Sequence, residues 1–366
     1  MDNTNQKKFV INGEIALLLK GLIIGKVLTL VVISGLFWWL LRPRLSVSDN
    51  TNSLSSQSIN ALSDRSSNTA STPMLAFETV ADIPIGSFKY GGSTAWAPIR
   101  QLADSQIQNA RPELQLHYVE PTHGSPGSGS GIRMLLNGLL DFAQSSRPLT
   151  MEESTTAKQQ GFTLEQRQVG MDGIAVVVNP SLKVRGLTVD QLQQIYLGQM
   201  TNWKQVGGPD LPITPFAQRL EDADTIIFSK NKDLNNQALS SNVQYVYSTT
   251  QALRKLSQTP GGLYYASART VVPQCSVKPL PLGHTPNSLI SPYREPKVPT
   301  DQCPRKRNQI NTEAIKNGSY PLTTNLFVII KHNKGREQQA GEAYARLLLS
   351  DQGQKAIEQA GFIRVR

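Results

Sequence analysis

Residues Leu114 to Gln144, "LQLHYVEPTHGSPGSGSGIRMLLNGLLDFAQ", carry the reading on which the fold class turns. "LQLHYVE" is a short apolar run of strand type. "SGIRMLLNGLLDFAQ" then places apolar residues at helical spacing. A strand, a Gly/Ser-rich turn and an amphipathic helix in succession make the building unit of an α/β protein with parallel sheets.

The alternation recurs downstream in "GIAVVVNP" (173–180) and "TVDQLQQIYLG" (188–198). Thr188 is a helix-start residue there, and Gly198 follows the last apolar position as a stop. No internal repeat is visible. With 366 residues, 39% of them hydrophobic and 17% charged, the chain has material for two domains beyond a non-globular N-terminal part.

The turn "PTHGSPGSGSG" (121–131) runs straight into a helix, so it offers hydroxyls and unpaired backbone N–H groups at the positive end of a helix dipole. That chemistry seats an anion. It is not a Walker A loop, and the centre of Gly127 to Gly131 is Gly129, so it is not a nucleophile elbow. The alternative is a plain turn capped by Ser128 or Ser130. A second seat is "YGGSTAWAPIRQLA" (90–103), with Ser93 and Thr94 after two glycines. A third is "FAQSSRPL" (142–149), where Ser145, Ser146 and Arg147 end an apolar run. Arg147 either forks onto an anion or is a solvated surface residue.

Charge agrees with an anionic partner: 37 Lys and Arg against 27 Asp and Glu give +10. The basic residues are scattered, without the spacing of an RNA-binding or zinc-finger motif, so nucleic acid is not an expected partner. Cys275 and Cys303 form no CxxC pair and have no metal-ligand spacing around them, so no metal is expected. They flank a Pro-rich excursion, 273–305, which a disulfide would staple; two free thiols are the alternative.

"GLIIGKVLTLVVISGLFWWLL" (21–41) has the length and apolarity of a membrane span. Lys26 can snorkel, Trp38 and Trp39 suit an aromatic belt, and Arg42-Pro43-Arg44 follows without a small-residue cleavage site. The expectation is an uncleaved single-pass signal anchor with residues 1–20 in the cytoplasm and the globular part in the periplasm or outside the cell; a cleaved signal is the alternative. Residues 42–82, rich in Ser, Asn and Thr, are expected to be a disordered tether.

From about Gly86 to the C-terminus the chain resembles the PstS-type phosphate-binding subunit of ABC importers, a branch of the type II periplasmic binding proteins. The resemblance rests on "GGSTAWAPI", "GSGSGIRMLLNGLLDFAQSSRPLT", "DGIAVVVNPSLKVRGLTVDQLQQIYLGQMTNWKQVGG", "NGSYPLTTNLFVII" and "LLLSDQGQKAIEQAGF", in that order. It implies a two-lobed α/β fold, with residues 83–170 plus 320–366 as lobe 1 and 171–319 as lobe 2. It also implies a clamp on inorganic phosphate or a related oxyanion through Ser93, Thr94, Ser128, Ser130, Ser146, Arg147, Asp172, Arg219 and Thr225. Asp172 would accept the proton of hydrogen phosphate and reject sulfate, or else form an Asx turn beside Gly173.

Where the resemblance calls for Ser-Gly-Thr after Arg219, this chain has Ala223, Asp224 and Thr225. Asp224 either points away as a helix N-cap, or takes the anion's place on the helix dipole, or marks a ligand other than phosphate. The expectation is weaker phosphate binding than in the family; a degenerate module acting as sensor or scaffold is the alternative. The resemblance implies an importer permease as partner, no cofactor and no enzymatic activity. A serine hydrolase using His123 lacks both the elbow and an orienting acid.

Overall fold

The computed structural model describes residues 76–219, 221–223, 227 and 239–365. The expected span 21–41, the segment 1–20, the tether up to residue 75, Asp224 and Thr225 lie outside the described residues. Among those described, no helix is long and apolar enough to cross a membrane.

Strands β1 (Gly86–Gly92), β2 (Leu114–Tyr118) and β3 (Phe142–Ser145) run parallel in the order β2-β1-β3. Beyond β3 the sheet stops being parallel, unlike the sequence expectation. β12 (Thr323–His332) lies antiparallel to β3, and β4 (Thr163–Val178) lies antiparallel to β12. The reason is topological: β4 carries the chain out of one lobe and β12 brings it back, so neighbours must run in opposite directions.

β4 serves both lobes. Its residues 163–173 pair with β12, and 174–178 pair with β8 (Gly262–Ser267) and β9 (Lys278–Leu280). The two halves differ as their surroundings demand. The polar "TLEQRQ" is largely solvated, whereas "GIAVVV" is buried throughout because both faces of the sheet are covered there. From β8 the sheet continues through β6 (Thr214–Ala217) to β7 (Gln244–Tyr245), again parallel. A small sheet joins β5 (Leu187–Thr188), β10 (Leu282–Gly283) and β11 (Leu289–Ile290), and β13 (Ile363–Arg364) pairs with β4.

Each lobe has apolar clusters of its own. Phe88, Trp96, Phe142, Val328 and Tyr344 centre one side of the first sheet, with Ile132, Leu135 and Ile329 on the other. In the second lobe Val176, Leu192, Trp203 and Leu263 pack together, and Val177, Phe216 and Tyr264 form a separate cluster. Fully burying one such side chain contributes about 1.5–3 kcal/mol.

Local chemistry sets the helix ends. Thr188 caps the helix Val189–Tyr196 through a capping box with Gln191, and Gly198 stops the turn beyond it at φ 77°. The last apolar pattern forms two helices, Arg336–Leu349 and Asp351–Gln359. Ser350 is extended between them and its hydroxyl accepts from the Gly353 amide at 3.1 Å, so a cap breaks what looks continuous. Residues 76–82, expected within the tether, are instead packed on the first lobe: Phe77 and Val80 are buried there, and the Phe77 amide donates to Gln352 Oε1 at 3.0 Å.

The lobes touch across a cleft. Arg133 Nη2 lies 2.8 Å from Asp222 Oδ1, the Ser125 amide donates to Asp222 Oδ2 at 3.2 Å, and Tyr247 Oη donates to the Gly124 carbonyl at 2.8 Å. With the Arg133 side chain 45% exposed, its ion pair is worth at most about 1 kcal/mol. Steric fit matters more: a Cβ on Gly129 would lie 2.2 Å from the Glu221 carbonyl oxygen. Only glycine lets the second lobe approach this helix so closely.

Gly129→Ala is therefore expected to hold the lobes apart. Spin labels on Leu139→Cys and Lys204→Cys would report a longer interlobe distance in the variant; an unchanged distance would refute the steric argument. Cys275 and Cys303 form a disulfide across 28 residues. Replacing both by Ser should lower unfolding free energy by about 2–4 kcal/mol in urea titrations, and an unchanged midpoint would show the excursion is held without it.

Candidate functional site

The carboxyl ends of parallel strands bring the site together, as is general for open α/β sheets. Ser93 follows β1, Ser145 ends β3 with Ser146 after it, Gln218 follows β6, and Ser267 ends β8. A strand end leaves its last carbonyls and the next residue's amide and side chain outside the ladder, so polar groups collect there.

Three of the predicted hydroxyl residues meet. Ser93 Oγ and Ser146 Oγ are 2.7 Å apart, and the Ser146 amide donates to Ser128 Oγ at 2.9 Å. All three residues are at most 1% exposed. Ser128 opens the helix Ser128–Leu136, so the cluster sits at that helix's N-terminus. Ser130 is turned away: its hydroxyl donates to the Gly127 carbonyl at 3.0 Å, as a local turn would have it. Gly92 makes the approach of β1 to β3 feasible. It has φ 122°, and a Cβ there would fall 2.1 Å from the Gln144 carbonyl oxygen.

Arg147 is neither on the surface nor a free cation. It is 2% exposed, and its Nη2 and Nη1 bind Glu153 Oε1 and Oε2 at 2.6 and 3.0 Å. Glu153 also accepts from the Thr150 amide at 2.8 Å, so one carboxylate caps a helix and fixes the guanidinium plane. The bidentate pair neutralises most of the local charge and leaves Arg147 Nε without a partner.

Asp172 sits in β4 where the strand passes between lobes. It is 3% exposed, and burial pushes its carboxyl up to about 7; the Gly173 amide and the more distant Arg269 hold the rise in check. The Ser267 hydroxyl also eases the rise, yet its geometry is not that of a hydrogen bond, so Asp172 Oδ2 and Ser267 Oγ both stay unpartnered. β12 links this carboxylate to the serines: Thr324 is register partner to Asp172 and donates to the Ser146 carbonyl at 2.7 Å.

Thr94 lines an adjoining cavity of ≈ 20 Å³ with Gln218, Thr249, Tyr264, Ser267 and Thr270. That volume suits one small polar guest. Among the described residues no charged side chain lines it, so an anion there would be met by dipoles and hydroxyls. Arg219 is exposed, with its guanidinium 5.0 Å from the Tyr245 ring centre, and is not buried with the serines. Thr225 is outside the described residues.

Beneath Ser93 lies a buried support. Arg100 Nη1 donates to the Ser93 carbonyl at 3.0 Å and to Gln144 Oε1 at 2.9 Å; Gln144 Nε2 donates to Tyr344 Oη at 2.8 Å, and Tyr344 donates to Asp104 Oδ1 at 2.8 Å. Tyr90 donates to the other Asp104 oxygen. Burial raises the Asp104 carboxyl to about 6 against the opposing pull of these donors and of Arg100.

Sequence reasoning missed Glu153, Gln218, Ser267, Thr249 and Tyr264. Glu153 stands three residues after Thr150, the signature of a capping box, which would have placed it beside Arg147. Ser267 follows the apolar run "GLYYA" just as Ser145 follows "FAQ", and a search for polar residues at strand ends would have found it.

Known proteins of similar sequence and shape agree with this architecture. The phosphate-binding protein PstS of Staphylococcus haemolyticus is 25% identical over 293 residues, covering 76% of this chain and 81% of its own. PstS of Borreliella burgdorferi is 28% identical over 289 residues, covering 75% and 89%. In fold, the chain is similar to a putative phosphate ABC transporter substrate-binding protein from Clostridium perfringens, solved with bound phosphate (TM-score 0.57, 21% identity, covering 77% and 100%). An ABC-type phosphate transport receptor from Vibrio cholerae gives a TM-score of 0.53 at 24% identity, covering 76% and 100%. Residues 78–352 match the PBP superfamily domain, and with two lobes, a crossing strand pair and a polar cleft between them, the chain belongs to the PBP superfamily.

Proposed function

We propose that this chain is an extracytoplasmic, non-enzymatic binding protein that captures inorganic phosphate or a related oxyanion and presents it to an ABC importer permease. The observation that carries the reading is the set of orphaned buried polar atoms. Of four such side-chain atoms among the described residues, three belong to Arg147, Asp172 and Ser267, all in the cleft region. Native interiors leave few groups unpaired, so their concentration at one place points to a guest with both acceptors and a donor.

In this reading Ser93, Thr94, Ser128 and Ser146 supply hydroxyls, and the Ser128 helix supplies its dipole. Arg147 Nε supplies the cationic donor, held in plane by Glu153. Ser130, whose hydroxyl is bound to the Gly127 carbonyl, and Arg219, exposed beside Tyr245, would join the clamp only by turning from these positions, and Thr225 is proposed as a further hydroxyl. Asp172 accepts the proton of hydrogen phosphate, which sulfate lacks. The lobes divide at residues 170/171 and 319/320, the apolar segment 21–41 anchors the chain in the membrane with residues 1–20 inside, and 42–75 forms the tether. The named phosphate-binding relatives support the choice of ligand.

Calorimetry on the full chain in non-ionic detergent tests this. Phosphate should give saturable heat, and Ser146→Ala should weaken binding about 10- to 100-fold, the worth of a hydrogen bond to a charged group. Absence of heat with millimolar phosphate would overturn the reading.

The pH response has a definite sign. Above about pH 7 Asp172 is ionised and repels a guest without a proton; below it the carboxyl is neutral and tolerates one. Sulfate affinity is thus expected to rise as pH falls from 8 to 6, and to become independent of pH in Asp172→Asn. A flat sulfate profile in the parent chain would remove Asp172 from the selectivity role.

A further inference from the structure

The disulfide-tied excursion of the second lobe forms part of an open groove of ≈ 1110 Å³ that the cleft does not involve. Arg269, Arg294, Arg305, Lys306 and Arg307 line it, against the single carboxylate of Glu295. Among the described residues none of these five cations belongs to an ion pair. Two of them are held in place without being neutralised: Arg269 Nε donates to the Ala360 carbonyl at 2.7 Å and Arg307 Nη1 to the Pro273 carbonyl at 3.2 Å. Glu295 is already engaged by the Ser291 hydroxyl at 2.5 Å and the Lys297 amide at 3.2 Å.

Four of the cations, Arg294, Arg305, Lys306 and Arg307, are exposed, which decides what the groove can hold. A single exposed ionic contact is worth at most about 1 kcal/mol, so one small anion would be lost to water. Several contacts acting together on one multiply charged chain would not, because each phosphate neutralised also releases counterions. The groove is too large and open for a lone oxyanion and long enough for several linked ones. Among the described residues no aromatic side chain lines it, and single-stranded nucleic acids are gripped largely by stacking of bases on such rings. The exposed large hydrophobics, Ile85, Leu139, Met151, Tyr245 and Tyr247, all lie elsewhere, so the groove has nothing to insert into a lipid surface.

We propose that this groove binds a linear phosphate polymer without bases. The inference does not rest on the cleft's binding phosphate. It gives the second lobe a separate attachment to polyanionic material outside the cleft.

The test is fluorescence anisotropy of end-labelled linear polyphosphate with the full chain in non-ionic detergent, between about 50 and 200 mM salt. The parent chain should bind with log affinity falling linearly with log salt. Arg294→Gln/Arg305→Gln/Arg307→Gln should bind at least tenfold more weakly, with a salt slope shallower by about two to three. The control Lys158→Gln/Lys204→Gln/Arg254→Gln removes equal charge at exposed positions elsewhere and should bind like the parent. An unchanged melting point in both variants establishes that they fold. Equal losses in the two variants, no loss in the first, or no binding by the parent would overturn the proposal. So would displacement of the probe by a single-stranded oligonucleotide of equal charge as readily as by unlabelled polymer.

Discussion

Buried hydroxyls and amides at the carboxyl ends of parallel strands must find partners, and much else in this structure follows from that requirement. Ser93, Ser128 and Ser146 are shut off from water, and an unpaired polar group in such a place costs about 1–3 kcal/mol. They answer it by pairing with one another, which ties β1, β3 and the Ser128–Leu136 helix to a common point. The same requirement is only half met at Arg147, Asp172 and Ser267. A guest with oxygens to offer would complete it, so structural tension and binding capacity arise from one cause.

The rigidity behind these groups comes from two polar assemblies. Arg100, Gln144, Tyr344 and Asp104 brace the turn at Ser93 from below, and Glu153 fixes the guanidinium of Arg147 from the side. The first joins its members by hydrogen bonds in low dielectric, which strengthens each of them, and the second is a bidentate ion pair that fixes the guanidinium plane while leaving Arg147 Nε unpaired. β4 and β12 carry the chain between the lobes, and among the described residues the cross-cleft contacts at Asp222 and Tyr247 are partly solvated. An assembly with rigid halves and a weakly tied seam is suited to hinged closure.

The legible parts of the fold were the local ones. The alternation of apolar runs and helical stretches, the Thr188 cap, the Gly198 stop and the Gly/Ser turn before Ser128 depend on neighbours within a few residues. What the sequence did not disclose involves distance. The antiparallel crossing of β4 and β12 joins segments about 160 residues apart, and no period in either segment announces its partner. The guanidinium of Arg219 lies 5.0 Å from the Tyr245 ring centre, a contact between residues far apart in sequence that no local pattern announces. Glu153 and the cap at Ser350 lie in local capping chemistry, which helical periodicity of apolar residues does not register.

Phosphate capture in the cleft is most directly tested by a crystal structure of the full chain grown with arsenate, a tetrahedral oxyanion whose arsenic is seen by anomalous scattering. One strong anomalous peak is expected within hydrogen-bonding reach of Ser93, Ser128 and Ser146, with Arg147 Nε and Asp172 turned to the same guest. A structure with ordered arsenate only outside the cleft, and Ser93 Oγ still paired with Ser146 Oγ, would contradict it.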